Sequence, residues 1–206
     1  MPPPPARRIT VLLFDQFELL DVFGPVELYS KVPGLTIDYV APGVEPVASS
    51  QGVQVVADLA FTDLNDPDIV LVPGGAGTRP LVDDPDFLTW LEATVRSARL
   101  VTSVCTGSAL LAAAGCLDGY RATSNKAAFH WVSTHGPRVE WVAQARWVHD
   151  RDRWTSSGVA AGMDMATALI ADLFGQDVAD TVARRVEYEP QRDPAIDHFT
   201  QVHGLQ

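Results

Sequence analysis

A chain of 206 residues with 47% hydrophobic and 20% charged side chains has the length and composition of one globular domain with a full core, which excludes a disordered polypeptide. A formal charge of −11 and a pI near 4.7 leave no basic stripe to displace counterions, so neither nucleic acid nor an anionic membrane surface is an expected partner. No apolar stretch approaches the ~18 residues that cross a bilayer.

The chain begins MPPPPARR, proline-rich and then basic, but the apolar run behind it is short and leads into Asp15 and Glu18. It reads as a frayed tail (residues 1–8) entering a strand, not as a secretory leader. Ile9–Phe14 is a continuous apolar run of strand type, ended by a polar turn at Asp15–Gln16. Glu18–Ser30 is helix-like but holds Gly24–Pro25, and proline favours a first helical position, so the spacing predicts a short turn and then a new helix from Pro25. Thr36–Ala41 alternates as a strand, and SSQG within Val47–Val56 predicts a hairpin.

Ile69–Val72 is a buried strand that runs into the loop Pro73-Gly74-Gly75-Ala76-Gly77. A helix over Asp84–Ser97 follows, with Asp83 or Asp84 as its cap. Leu100–Val104 is the next strand and Gly107–Ala114 the next helix, stopped by Gly115. Lys126–Thr134 is a further helix. Arg146–His149 and Arg153–Ser156 form a second hairpin around Asp150–Asp152. Ala160–Phe174 is a strongly apolar helix ended by Gly175, Gln176–Tyr188 is amphipathic, and residues 190–206 read as a polar tail.

Strands alternating with helices predict an α/β fold: a mostly parallel sheet between helices, with small hairpins, in a single domain. Ligands in such sheets bind beyond the carboxyl ends of the strands. Three segments should reach that edge: the turn after the first strand, the glycine loop and the turn at Cys105.

Ser103-Val104-Cys105-Thr106-Gly107-Ser108 carries the strongest chemical signal. Small residues flank a nucleophile directly between a strand and a helix, which is how a sharp elbow exposes such a side chain. A helix N-terminus there would stabilise a thiolate, so the spacing predicts a Cys105 pKa below the ~8.5 of a free thiol, and the same N–H groups would hold a developing anion. The alternative is a small buried hydrophobe. Gly74 and Gly75 lie in a loop that matches neither dinucleotide nor P-loop spacing; the choice is between a tight turn and a second oxyanion donor, the N–H of Gly75. Asp21, one helical turn after Glu18, is either a helix cap or a partly buried acid–base beside Cys105. No histidine adjoins the cysteine, and no pair of residues has metal-ligand spacing with a third ligand nearby, so a metal site is not expected. Cys105 and Cys116 flank one predicted helix and should point apart, so a disulfide is not expected and the reducing cytoplasm is the expected compartment.

The segments ITVLLFDQFELLDVFGPVELY, DIVLVPGGAG, LVTSVCTGSALLAAAGCLDG and GVAAGMDMATALIADLFG together resemble the ThiJ/PfpI superfamily, within the class I glutamine-amidotransferase-like group. The resemblance implies a flavodoxin-like fold and a homodimer. LD-x-x-GP, with Asp21, and SVCTGS, with Cys105, are similar to the isonitrile hydratase branch. It implies that Cys105 attacks an isonitrile carbon to give a thioimidate, that Asp21 is the acid and base, and that Thr106 and Gly75 supply N–H groups, releasing an N-substituted formamide. The substrate is a small molecule, and no cofactor is required. The chain departs from relatives in two places. Thr106 stands where other branches have His after the nucleophile, and Asn125 stands where many relatives have His. A cysteine redox sensor, a glyoxalase using the same cysteine, and a ligand-sensing domain like that of AraC-type regulators are the alternatives.

Overall fold

The computed structural model describes residues 8–205. Its elements in order begin with β1 (Arg8–Leu12), α1 (Leu19–Tyr29), β2 (Thr36–Ala41), β3 (Val47–Ala48), β4 (Gln54–Val55) and β5 (Leu59–Ala60). A 3-10 turn at Phe61–Asp63 leads to β6 (Ile69–Val72), α2 (Thr78–Leu81), α3 (Pro85–Ser97), β7 (Leu100–Ser103) and α4 (Gly107–Ala113). Then come β8 (Arg121–Ala122), α5 (Phe129–Thr134), β9 (Glu140–Trp141), β10 (Trp147–Asp150) and β11 (Arg153–Ser156). The helices α6 (Ala161–Phe174), α7 (Gln176–Arg185) and α8 (Phe199–Val202) complete the order.

Seven strands form one sheet in the order β10-β11-β7-β6-β1-β2-β5. Every neighbouring pair is parallel except β10–β11, an antiparallel hairpin at one edge. β6 and β7 are buried at every position, as strands covered on both faces must be. The chain leaves the centre of the sheet in both directions: through α1 to β2, and through α3 to β7. Right-handed crossovers running in opposite directions put these helices on opposite faces, with α1 packed on α6 and α6 on α7. The order reverses between β1 and β6, so the loops leaving those strands part and open a crevice at their carboxyl ends. This is the flavodoxin-like α/β architecture expected from the sequence.

The expected frayed tail lies outside the described residues except for Arg8, the first residue of β1. Two other expectations are corrected. No break falls at Gly24–Pro25, because α1 runs through both. Proline there costs one helical hydrogen bond. The missing Cβ of Gly24 lets α1 seat against α6, where an added Cβ would lie 2.9 Å from Met163 Cγ. Residues 190–205 are also not a loose polar tail. Asp197, Thr200 and Leu205 are buried, and the segment hydrogen-bonds back through Arg146 N–H to Pro194 O (2.8 Å) and Asp197 N–H to Gln144 O (3.2 Å).

Candidate functional site

Cys105 follows β7 and precedes Thr106, the residue that leads into α4. Its φ is 57°, in the left-handed region that side chains avoid, at a cost of roughly 1–2 kcal/mol. The surrounding backbone holds this turn on every side. Cys105 N–H donates to Ser157 O (3.2 Å), and its carbonyl accepts the hydroxyls of Ser124 (2.8 Å) and Ser108 (3.1 Å). Gly107 permits the sharp return: an added Cβ would lie 2.2 Å from Val72 O, so any side chain would push α4 off β6.

The sulfur lies almost wholly inside, with Cys105 7% exposed. The backbone N–H groups of Thr106 and Val159 and the Thr106 hydroxyl are directed at it, and the Asp21 carboxyl faces it. Burial pushes the thiol well above its usual pKa, and the Asp21 charge pushes it the same way; the N–H groups offset only part of this. The expectation of a thiol poised below its free value is therefore reversed. α4 is a seven-residue helix, and its weak terminus cannot outweigh desolvation and a neighbouring carboxylate.

Asp21 sits in the first turn of α1, fully buried. It makes no side-chain cap: the cap residue is Glu18, whose carboxylate instead accepts Gln51 Nε2 (2.7 and 2.8 Å) from the β3–β4 turn. Asp21 Oδ2 accepts the Gly74 N–H at 2.9 Å, while Oδ1 has no hydrogen-bond partner among the described residues. Burial raises its pKa from 3.8 to about 7; the Glu18 charge adds to the rise, and the Gly74 N–H and the Cys105 thiol oppose it. Thiol and carboxyl thus face each other in a buried site where the carboxyl is the easier group to ionise.

The glycine loop holds the site together. Gly74 is bound to Asp21, and an added Cβ would lie 2.6 Å from Thr106 N. The Gly75 N–H, expected to point at substrate, donates to Thr106 Oγ1 (3.1 Å), which also accepts the Thr78 hydroxyl (3.1 Å). Asn125, which stands where many relatives have His, is held within its own loop. Its Oδ1 accepts the Ala128 N–H (3.0 Å), and its amide packs against Gly158.

The structure thus brings Cys105, Asp21, Thr106, Gly74 and Gly75 together and adds Val159, Ser157 and Ser124. Val159 has a φ of 43° and presents only its backbone to the sulfur, so its residue type gives no chemical signal. Small residues around Gly158 were the only hint. Among the described residues, no group of three or more His, Cys, Asp or Glu side chains is placed to hold a metal ion. Both cysteines are free thiols. Among the described residues, no helix is long and apolar enough to cross a membrane.

Comparison with known proteins agrees with this architecture. The chain is 38% identical to an isonitrile hydratase of Pseudomonas putida over 185 residues, covering 90% of this chain and 80% of that protein. It is 31% identical over 200 residues to the transcriptional regulator GbdR of Pseudomonas aeruginosa, covering 92% of this chain but spanning only 54% of the regulator. Among solved structures, a ThiJ/PfpI family protein from Pseudomonas syringae superposes with a TM-score of 0.84 at 30% identity, covering 98% of this chain and 86% of that one. Residues 7–172 match the DJ-1/PfpI family model, and the chain belongs to the DJ-1/PfpI family.

Proposed function

We propose that this protein hydrates an isonitrile, R–N≡C, to an N-substituted formamide, with Cys105 as nucleophile and Asp21 as its proton relay. The observation that carries this is the buried pair itself: a thiol facing a carboxyl whose pKa is raised to about 7. An isonitrile carbon must gain a bond to a nucleophile and then a proton. A carboxylate that takes the thiol proton and returns it to carbon serves both needs without a histidine.

The Asp21 carboxylate accepts the Cys105 proton as sulfur bonds to the terminal carbon. The carboxylic acid then protonates that carbon, giving the thioimidate S–CH=N–R with Asp21 again ionised. Water adds to the thioimidate as Asp21 takes one of its protons and passes it to nitrogen; the C–S bond then breaks as the new hydroxyl's proton moves through Asp21 to sulfur, releasing the formamide and restoring the thiol. Burial favours this order, because the thiolate forms only as it is consumed. The N–H groups of Thr106 and Val159 flank the sulfur and would steady the negative charge that builds there. Gly74 holds Asp21, while Gly75 acts indirectly by fixing the Thr106 hydroxyl. The 38% identity to an isonitrile hydratase supports the same reading.

The test is incubation with aryl and alkyl isonitriles, following the formamide by ultraviolet absorbance and mass. Wild type should release formamide, and Cys105→Ser and Cys105→Ala should not. Wild type that releases none from several isonitriles sinks the assignment and leaves the cysteine to a sensing role.

A further inference from the structure

A cavity of ≈ 270 Å³ lies between the loop Ser157–Ala160, the Asn125–Ala127 segment and the C-terminal residues Phe199 and His203. Two residues of its wall touch Cys105: Ser157 O accepts the cysteine N–H at 3.2 Å, and the Val159 N–H is directed at the sulfur. A third wall residue, Asn125, directly follows Ser124, whose hydroxyl holds the Cys105 carbonyl at 2.8 Å. Val159 therefore belongs both to the cavity wall and to the surroundings of the sulfur.

We propose that this cavity receives the organic substituent of the substrate, and that the substituent is an uncharged ring or branched alkyl group whose size is limited by Ala127 and Phe199. The assignment rests on the isonitrile reading for the reacting group but not for the cavity's role. Size favours it, since a dry cavity of ~150 Å³ already admits benzene. Charge favours it too. The two fixed cations that reach the wall are already paired, Arg146 with Asp164 (2.7 Å) and with Asp197 (3.8 Å), and Lys126 with Asp197 (3.9 Å). A carboxylate or phosphate would have to compete with Asp164 and Asp197 for these two cations and would lose its hydration. Phe199 is 56% exposed and stands at the mouth, where a ring can lie against it.

Ala127 is exposed to solvent and outside the buried core, so Ala127→Phe should fill the cavity without unfolding the protein, and an unchanged thermal midpoint verifies this. With isonitriles, Ala127→Phe should lower kcat/KM for cyclohexyl or phenyl substituents by about tenfold or more, while methyl isonitrile changes by less than about twofold. Phe199→Ala should narrow the preference for ring substituents over methyl.

A second readout does not depend on hydration. In a Cys116→Ser background, alkylation of Cys105 by iodoacetanilide and by iodoacetamide is timed by intact mass. The anilide-to-amide rate ratio should fall about tenfold in Ala127→Phe. A ratio that falls while wild type makes no formamide upholds the cavity and rejects the isonitrile reading. A ratio that stays at the wild-type value overturns the cavity assignment whatever the isonitrile result.

Discussion

Asp21 has a folded pKa of about 7 against an ordinary value of 3.8, and this sets two pH dependences. In catalysis the carboxylate must be ionised to receive the thiol proton. Activity should therefore rise with pH through about 7 and then level, since the thiol itself titrates much higher. A pH profile of kcat/KM that is flat from about 5 to about 9 would contradict the relay. In stability the sign is opposite. Between the unfolded and folded values the native state binds the extra proton, so the contribution is fully present below about pH 4 and lost as pH rises through about 7. The loss is on the order of 4 kcal/mol. Asp21→Asn should therefore be more stable than wild type at pH 8, with the advantage shrinking towards pH 4, while turnover falls about 10²–10⁴-fold. Thermal midpoints across that range check the first part. No Cys105 adduct should build up on this variant in intact mass, because the relay already acts in the first step; one that accumulates would show that attack does not need Asp21. At the neighbouring position, Thr106→Val removes the acceptor of the Gly75 N–H and the Thr78 hydroxyl. It should cost about 1–3 kcal/mol in urea unfolding because the Gly75 N–H is left without its partner, while the Thr78 hydroxyl keeps the Gly75 carbonyl (2.8 Å).

At the level of elements, the elbow depends on how closely α4 follows β7 and lies against the end of β6. The 2.2 Å approach of a Gly107 Cβ to Val72 O has backbone on both sides, so no side chain can rotate away to relieve it. Gly107→Ala should destabilise by at least about 1–3 kcal/mol and move the Thr106 N–H away from the sulfur. A variant with wild-type stability and turnover would show that the elbow tolerates a shift of α4. The β3–β4 hairpin acts on the other side of the site, where Gln51 binds the Glu18 carboxylate and the Leu19 N–H. It fixes the start of α1, and with it the position of Asp21.

Over the whole molecule, the C-terminal segment is clamped by a buried charge cluster. Lys126 and Asp197 are buried together, with Lys126 Nζ also donating to Thr123 Oγ1 (2.8 Å) and Ala145 O (2.5 Å). Asp164 gathers Arg146, the Tyr188 hydroxyl and the Gln191 N–H (2.8 Å). Desolvation lowers the Lys126 pKa to about 8, with the Asp197 charge opposing the shift. Removing the aspartate leaves a buried cation unpaired, so Asp197→Ala should cost about 3–5 kcal/mol and raise protease cutting between residues 190 and 205. Limited proteolysis with mass mapping reads this directly; wild-type resistance would mean the backbone contacts suffice. The homodimer expectation also belongs at this scale. Leu20, Val53 and Val56 are 42%, 45% and 61% exposed, on α1 and on the hairpin that Gln51 pins to it. Light scattering should give twice the 22.3 kDa chain mass, and a monomer at micromolar concentration would refute it.

Much of this was legible in the residues. Ile69–Val72 and Thr36–Ala41 have the predicted bounds, and α3 starts after Asp84, whose carboxylate caps it by accepting the Asp86 and Phe87 N–H groups (3.0 Å each). These calls rest on local periodicity and capping, which neighbouring residues decide. The strand–cysteine–glycine–helix order likewise marked the elbow, because a sharp turn demands small residues wherever it occurs. Three things needed the tertiary structure. Whether Pro25 breaks a helix depends on what packs against it, and here that is α6. The thiol pKa depends on how much water reaches the sulfur and which charge faces it, and Asp21 lies far from Cys105 in sequence. The Val159 N–H, the use of the Gly75 N–H inside the protein and the docking of residues 190–205 are all backbone contacts between distant segments. Such contacts are made by peptide groups that every residue carries, so no side-chain pattern announces them; only the folded chain decides which of them meet.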